Sequence, residues 1–170
     1  DLLSFSAIES GQLVLNLKPG NLHILMEERI KIYTHLAMEK NINFDIKYQN
    51  LKLILFDTPR IGQVIDNLLT NAIKFSPIGG TIQIILESVS ELLRVTITDQ
   101  VSSIRSEDLD DLFKPFKKLD SGSTENKKGT GLGLAIAKKM IELHNGTLTF
   151  RPSKSQGASF CFELPVTPLT

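Results

Sequence analysis

The sequence predicts an α+β fold in which helices cover one face of a mixed β-sheet. Segments with apolar residues at helical spacing occur between segments in which apolar and polar residues alternate, as in half-buried strands. The composition, with 41% hydrophobic and 22% charged residues, is that of one soluble globular domain. At 170 residues the chain is long enough to fold around a core without disulfides or a structural metal.

Charge and cysteine content exclude several classes of protein. Nineteen basic residues balance nineteen acidic ones, so bulk charge gives no argument for binding nucleic acid or an anionic membrane. No apolar run approaches the roughly 18 residues of a membrane span. Three scattered histidines and one cysteine do not give the spacing of a zinc site, and a single cysteine fits a reducing compartment. The N-terminus is unlike a signal peptide, and we expect the chain to be excised from a longer protein.

The N-terminal part predicts a short helix, a strand and a long helix. The short helix ends at Gly11, and Leu13, Leu15 and Leu17 then alternate as in a strand. Asn21 is placed to cap the long helix. The apolar stripe of that helix consists of Leu22, Met26, Ile30, Tyr33 and Ala37.

The remaining elements follow from similar signals. Asp57 and Pro59 are typical of a helix start, and Pro77 with the two glycines after it ends that helix. A short helical piece is expected over residues 106–113 and a helix from 130 to about 143. The remaining predicted strands cover residues 42–48, 53–56, 81–87, 92–98, 147–150 and 158–164.

The strongest local motif is Gly-Thr-Gly-Leu-Gly-Leu at residues 129–134, which opens a strongly periodic helix. Closely spaced glycines let backbone amides approach a phosphate, and a helix N-terminus adds N–H groups and the positive end of a dipole. The motif is neither a Walker loop nor a dinucleotide fingerprint, because no Gly-Lys-Ser/Thr follows it and no strand precedes it. Taken alone, it is equally consistent with a flexible loop that reverses the chain.

A second motif places polar side chains along one helix face. Asn67, Asn71 and Lys74 are four and three residues apart, so they lie on the same side of the predicted helix. Amide oxygens can ligate Mg²⁺, and Lys74 can contact a phosphate. Taken alone, the two asparagines are more simply explained as a solvated polar face.

Together the motifs resemble sensor histidine kinases. Residues 67–77 resemble the N box of that family, residues 112–116 its F box, residues 129–134 its G2 box and residues 157–160 its last glycine motif. Residues 60–64 stand where the family has an Arg-Leu-x-Gln-Val lead-in. The resemblance covers essentially the whole chain. It implies the Bergerat-type ATP-binding fold of gyrase, the Hsp90 chaperones and MutL, a two-layer α/β sandwich.

The resemblance also implies a site for ATP and Mg²⁺. Asn67 and Asn71 would hold Mg²⁺ and the phosphates, Lys74 would contact a phosphate oxygen, and Asp99 would accept the hydrogen bond of the adenine amino group. The other expected nucleotide contacts are Phe116, Gly129, Thr130, Gly131, Leu132 and Gly133.

Residues 117–128 would form an ATP lid with a basic bias, anchored by Phe113 and Phe116. Each of these rings, taken alone, is equally explained as an ordinary core aromatic. The basic residues of the predicted lid are Lys117, Lys118, Lys127 and Lys128.

Asn67 bears on the reaction class. ATPases of this fold carry a glutamate at this position to activate water, and an amide cannot act as that base. Phosphoryl transfer by positioning and Mg²⁺ is therefore favoured over hydrolysis. This difference and the F box argue against a fold-sharing ATPase such as a chaperone or gyrase fragment.

The sequence departs from the family at the G1 box, Asp-x-Gly-x-Gly. Asp99 is kept, but Val101 and Ser103 replace the glycines, and no glycine lies between Gly80 and Gly122. A side chain there would crowd the base or adopt a left-handed backbone, at about 1–2 kcal/mol per residue. Two hypotheses stay open: a re-routed loop with weakened ATP binding, or a non-catalytic pseudokinase that regulates a partner kinase or response regulator.

The resemblance divides the chain and implies its partners. Residues 1–10 resemble the end of the second helix of the dimerisation and phosphoacceptor hairpin, and residues 11–170 the catalytic and ATP-binding domain. None of His23, His35 and His144 has the context of the phosphoacceptor.

The γ-phosphoryl group of ATP would therefore pass to a histidine outside this chain and then to a response regulator receiver domain, as in a two-component phosphorelay. We expect this domain to be cytoplasmic and to have no nucleic-acid partner. The full-length protein is expected to be a homodimer, and parent proteins of this family are commonly membrane-anchored.

Overall fold

The computed structural model describes residues 2–100, 106–118, 129–153 and 157–166. The helices within these ranges are α1 (Leu2–Glu9), α2 (Leu22–Glu39), α3 (Thr58–Phe75) and α4 (Gly133–Leu143), with a 3₁₀ turn at Ser106–Asp108. The strands are β1 (Lys18–Gly20), β2 (Asn43–Tyr48), β3 (Ile54–Phe56), β4 (Thr81–Val89), β5 (Leu92–Thr98), β6 (Thr147–Ser153) and β7 (Gly157–Pro165).

Five strands form a mixed sheet in the order β2-β4-β5-β7-β6. Strand β2 runs parallel to β4, and the other neighbours are antiparallel. Strands β1 and β3 form a separate antiparallel pair. The predicted α+β fold with a mixed sheet is confirmed.

The core lies between the sheet and helices α2, α3 and α4. Every second residue is buried in β5 and in β4 as far as Leu86, because successive side chains of a strand point to opposite faces. Each fully buried leucine or isoleucine stabilises the fold by about 1.5–3 kcal/mol. The buried residues of α3 are Ile61, Gly62, Val64, Ile65, Leu68, Leu69, Ala72 and Ile73.

Both predicted N-caps are confirmed. The side-chain oxygen of Asn21 accepts hydrogen bonds from the backbone N–H groups of His23 at 3.0 Å and Ile24 at 3.3 Å. Asp57 accepts one from the N–H of Arg60 at 3.2 Å. Such caps satisfy N–H groups that a helix leaves without intrahelical partners.

The strand predicted from Leu13, Leu15 and Leu17 is wrong in position, because the strand observed is Lys18–Gly20. It pairs with the three residues of β3, and the alternating leucines before it have no neighbouring strand within the described residues. Leu13 nevertheless packs on the core, whereas Leu17 is 49% exposed. Alternation of leucines alone therefore did not identify a strand at this position.

Two predicted helices are shorter than expected. Helix α4 begins at Gly133 rather than at residue 130, because Gly129 and Gly131 have φ angles of 144° and 73° that lie outside the helical region. The helical piece expected over residues 106–113 is a 3₁₀ turn at Ser106–Asp108 followed by irregular turns.

Helix α1 packs on the rest of the molecule through Phe5 and Ile8. No helix of the described residues combines the length and the apolar character needed to cross a membrane.

Candidate nucleotide-binding site

A pocket of about 310 Å³ opens between α3, the glycine-rich segment before α4, and residues 112–118. It brings together side chains and backbone from parts of the sequence that are far apart. Most of the predicted site residues line it, namely Asn67, Asn71, Lys74, Gly129, Thr130, Gly131 and Gly133.

Helix α3 presents Asn67, Asn71 and Lys74 to the pocket because its opposite face is buried in the core. The Nδ2 atom of Asn67 donates a hydrogen bond to the carbonyl oxygen of Gly133 at 2.9 Å. This bond assigns the amide nitrogen to the glycine-rich segment, so Oδ1 is the atom of Asn67 suited to accept a hydrogen bond or to ligate a cation.

Within the glycine-rich segment, Gly131 is packed too closely against its neighbours to carry a side chain. A Cβ on Gly131 would lie 2.9 Å from the carbonyl carbon of Phe116, whose N–H donates to the oxygen of Gly131 at 3.0 Å. A Cβ on Gly133 would lie 3.5 Å from Oδ1 of Asn67, and one on Gly129 would lie 3.9 Å from Nζ of Lys74. The bare backbone therefore forms one wall of the pocket, as phosphate binding by amides requires.

The N-terminus of α4 adds to this wall. Its N-cap residue, Leu132, makes no capping hydrogen bond through its side chain. The Thr130 hydroxyl accepts a hydrogen bond from the N–H of Leu132 at 3.3 Å. A helix start without a side-chain cap, placed beside the pocket, offers N–H groups and the positive end of the helix dipole to an anion.

The pocket is rich in positive charge. Lys74, Lys117 and Lys118 all line it. Burial and the neighbouring charge of Lys118 lower the pKa of Lys74. Lys117 lies 3.4 Å from a carboxylate oxygen of Asp111. Since crowding of like charges is relieved by a bound anion, the pocket suits a polyphosphate.

The asparagine oxygens fit a magnesium ion shared with such a polyphosphate. Mg²⁺ is commonly held by one or two protein oxygens together with substrate phosphates rather than by a complete protein cage. Asn67 and Asn71 are one helical turn apart on the pocket wall, so both oxygens can serve one ion. In the part of the chain described, no three His, Cys, Asp or Glu side chains are grouped as metal ligands.

Three predicted site residues are not among those lining the pocket. Asp99 is only 4% exposed, and its Oδ1 accepts a hydrogen bond from the N–H of Ala158 at 3.4 Å. Leu132 is buried in the core. Phe116 is 60% exposed and has a φ of 62°, and its ring meets Phe5 of α1 edge-to-face at 6.0 Å.

Phe113 and Phe116 differ in their surroundings. Phe113 packs edge-to-face on Phe160 at 6.2 Å, and Nζ of Lys138 lies 4.9 Å from its ring centroid. Phe113 thus packs on the core, while the ring of Phe116 contacts α1. The other lid lysines, Lys127 and Lys128, lie outside the described residues, as do Val101 and Ser103 of the G1 region.

Sequence reasoning missed an ion pair behind the site. Arg29 of α2 makes two hydrogen bonds to Asp66 of α3, one of them from Nε to Oδ1 at 2.6 Å. The hydrogen bond with Asp66 raises the pKa of Arg29. Because Asp66 directly precedes Asn67 in α3, the ion pair between Arg29 and Asp66 helps to orient this helix. No local pattern joins two residues that are 37 positions apart.

Comparisons with known proteins agree with this geometry. A family model described as histidine kinase-, DNA gyrase B-, and HSP90-like ATPase matches residues 56–168. The non-motile and phage-resistance protein of Caulobacter vibrioides is 34% identical over 98% of this chain and 20% of its own length. The autoinducer 2 sensor kinase/phosphatase LuxQ of Vibrio harveyi is 32% identical over 98% of this chain and 20% of its own length.

A solved structure gives the same result. The catalytic domain of histidine kinase ThkA has a TM-score of 0.80 and 31% identity, over 91% of this chain and all of that domain. ThkA in complex with the response regulator TrrA has a TM-score of 0.76 and 28% identity, over 98% of this chain and 48% of that chain.

The fold and the pocket thus define a nucleotide-binding domain of the class that these proteins share. The chain belongs to the family of histidine kinase-, DNA gyrase B- and HSP90-like ATPases, and within it is an ATP-binding catalytic domain of the histidine kinase type. The resemblance found in the sequence is confirmed. The chain spans about a fifth of the length of the curated relatives it matches.

Proposed function

We propose that this domain binds ATP with Mg²⁺ in the pocket and donates the γ-phosphoryl group to a histidine outside the present sequence. The observation that carries the proposal is the convergence of Asn67, Asn71 and Lys74 with a glycine-rich wall in one cationic pocket. The acceptor histidine would pass the phosphoryl group to a response regulator, and ThkA, a relative by structure, forms a complex with such a protein.

Each part of the pocket has a role in this proposal. Lys74 and Lys118 attract the phosphates, and the amides of residues 129–133 hold them in place. Asn67 and Asn71 supply oxygens to the cation. Mg²⁺, when bound with ATP, neutralises phosphate charge and polarises the γ-phosphoryl group.

Transfer is favoured over hydrolysis because of what stands at position 67. The amide of Asn67 donates to Gly133 and has no proton-accepting group that would activate water. Positioning of the acceptor and neutralisation of charge are the means of catalysis that remain, and they are the means that phosphoryl transfer needs.

The histidines of this chain support an acceptor elsewhere. His144 is buried, with Nδ1 donating to the oxygen of Met140 at 2.7 Å. The ring of His23 stacks on Tyr48 with centroids 3.6 Å apart. His35 is exposed on α2, where its Nε2 lies 3.7 Å from Glu39. None of the three lines the pocket.

We further infer that residues 1–10 end the dimerisation and phosphoacceptor hairpin, and that residues 11–170 form the catalytic domain. The separate helix α1, packed through Phe5 and Ile8, supports this division. The full-length protein would be a homodimer anchored in a membrane, and this domain would lie on the cytoplasmic side.

The replaced G1 glycines favour weakened nucleotide binding. A stronger form of this hypothesis is that the domain is a non-catalytic module that regulates a partner kinase or response regulator.

Calorimetric titration with a non-hydrolysable ATP analogue, with and without Mg²⁺, tests the proposal. We expect saturable binding that Mg²⁺ strengthens. No heat up to millimolar nucleotide would overturn the catalytic proposal and leave the interaction module.

A further inference from the structure

A lysine outside the pocket holds the end of the helix that carries the site. The ammonium group of Lys40 donates to three carbonyl oxygens at the C-terminus of α3, those of Ile73 at 2.8 Å, Lys74 at 3.1 Å and Ser76 at 2.6 Å. Lys40 is half-buried and follows directly on α2, so its side chain joins the C-terminal ends of two helices.

These bonds satisfy groups that a helix end leaves without partners. The last carbonyls of a helix have no intrahelical donor, and the negative end of the helix dipole lies there. A cation placed among them makes charge-assisted hydrogen bonds, which are about twice as strong as neutral ones. The backbone of Lys40 adds a further contact, because its oxygen accepts the N–H of Gly79 at 2.8 Å.

The turn that Lys40 holds is part of the pocket. Asn71 and Lys74 lie in the last five residues of α3 and line the cavity, and Lys40 bonds to the backbone of Lys74 itself. A shift of this turn would move both side chains relative to the glycine-rich wall.

We propose that Lys40 is a positioning residue that fixes the last turn of α3 and thereby holds Asn71 and Lys74 in register with the phosphates of the nucleotide. The inference rests on the proposed binding of ATP in this pocket. Lys40 does not line the pocket, so it acts through α3 and not by contact with the ligand.

The test compares Lys40→Met with Lys31→Met, which removes an exposed lysine from α2, the helix that Lys40 follows. Calorimetry with a non-hydrolysable ATP analogue and Mg²⁺ should show affinity lowered roughly tenfold by Lys40→Met, the equivalent of one charge-assisted hydrogen bond. The control should stay within about twofold of the parent. Circular dichroism at the same temperature checks that both variants are folded. A purely structural role of Lys40 would lower the melting temperature without changing the affinity of the folded protein for the analogue.

Hydrogen exchange of residues 72–76 gives a second readout that needs no nucleotide. We expect faster exchange there in Lys40→Met and not in Lys31→Met. Lys40→Arg should recover most of the affinity, and Lys40→Gln, which keeps an uncharged donor, replaces the Met variant if that variant does not fold. Unchanged affinity of folded Lys40→Met for the ATP analogue would overturn the inference, whatever its exchange rates. If the parent protein binds no nucleotide, the proposed function fails, and altered exchange at residues 72–76 still decides whether Lys40 holds this turn.

Discussion

The two ends of the predicted ATP site differ in how well they are built. At the phosphate end, Asn67, Asn71 and Lys74 meet a glycine-rich wall that keeps all three of its glycines. At the adenine end, Asp99 is kept and buried, but the G1 glycines that normally follow it are replaced by Val101 and Ser103. From this difference we propose that the domain binds nucleotide mainly through the phosphates and Mg²⁺, and that the base contributes less to the affinity.

One contact near Asp99 is nevertheless closely built. Gly157 has a φ of 94°, and a Cβ there would overlap the backbone oxygen of Asp99 and lie 2.7 Å from its carbonyl carbon. The start of β7 is thus packed directly against the backbone that carries Asp99. Asp99 is thus packed into the sheet, and the sequence departs from the family just after it, at Val101 and Ser103.

The largest expected effect comes from filling this contact. Gly157→Ala should destabilise the domain by roughly 3–5 kcal/mol, because it adds a steric overlap to a left-handed backbone. Gly79→Ala is the matched control, since Gly79 also has a positive φ, of 78°, but nothing lies within 4 Å of the added carbon. We expect it to cost only about 1–2 kcal/mol. Urea unfolding measures both free energies, and equal losses would show that the close approach of Gly157 to the backbone of Asp99 does not contribute to stability.

The next effect concerns the phosphate end. Asn71→Ala should lower affinity for the Mg²⁺-bound ATP analogue by roughly 10- to 100-fold and weaken its strengthening by Mg²⁺, because one of the two proposed cation ligands is removed. Asn50→Ala, at an exposed position away from the pocket, serves as the control. Calorimetry at two Mg²⁺ concentrations checks the result. A variant that keeps the Mg²⁺ dependence would show that Asn71 does not serve the cation.

A smaller effect is expected from repairing the adenine end. Restoring glycine at Val101 and Ser103 together should raise ATP affinity by roughly tenfold, since relief of about 1.4 kcal/mol of crowding corresponds to that factor. Affinity for inorganic tripolyphosphate, which has no base, should stay unchanged. No gain for ATP, or an equal gain for both ligands, would show that crowding of the base is the wrong explanation.

The smallest expected effect is a pH dependence of folding stability that comes from His144, next to the N-terminus of α3. Burial lowers the pKa of His144, whose Nε2 accepts the backbone N–H of Asp57, the N-cap of α3. In the unfolded chain the imidazole of His144 therefore binds a proton below the ordinary histidine pKa of about 6.5, whereas in the folded chain the same ring stays neutral to a lower pH. Stability should be full above pH 6.5 and fall as the pH drops towards the lower folded value.

The midpoint of urea unfolding, followed from pH 7.5 to pH 5.5, measures this dependence. In His144→Gln the part of the loss that this side chain causes should vanish, whereas in the exposed-site control His35→Gln it should remain. An unchanged pH profile in His144→Gln would rule out His144 as its source.

What could be predicted from the sequence was local in origin. The caps Asn21 and Asp57 act within three residues of their own positions, and Asn67, Asn71 and Lys74 share a face because of helical spacing alone. The glycine motif marked a stretch of backbone in which Gly131 has no room for a side chain. Periodicity and spacing sufficed to predict the fold class, whereas the pocket residues were predicted from the joint resemblance of these motifs to sensor histidine kinases.

The rest depends on contacts between distant elements. The bond from Asn67 to Gly133 spans 66 positions, and the bonds from Lys40 to the end of α3 span 33 to 36. The strand predicted around Leu15 was wrong for a related reason, because a strand needs a partner and alternation does not reveal one. Propensity and spacing carry no information on such pairings.

We propose that contacts at the phosphate end supply most of the free energy with which this domain binds ATP. This proposal is tested most directly by one calorimetric comparison of the parent domain, with Mg²⁺ present, between a non-hydrolysable ATP analogue and inorganic tripolyphosphate. The account predicts saturable binding of both, with affinities within about tenfold of each other, since an impaired base contact adds little. Strong binding of the ATP analogue with no detectable binding of tripolyphosphate would contradict it.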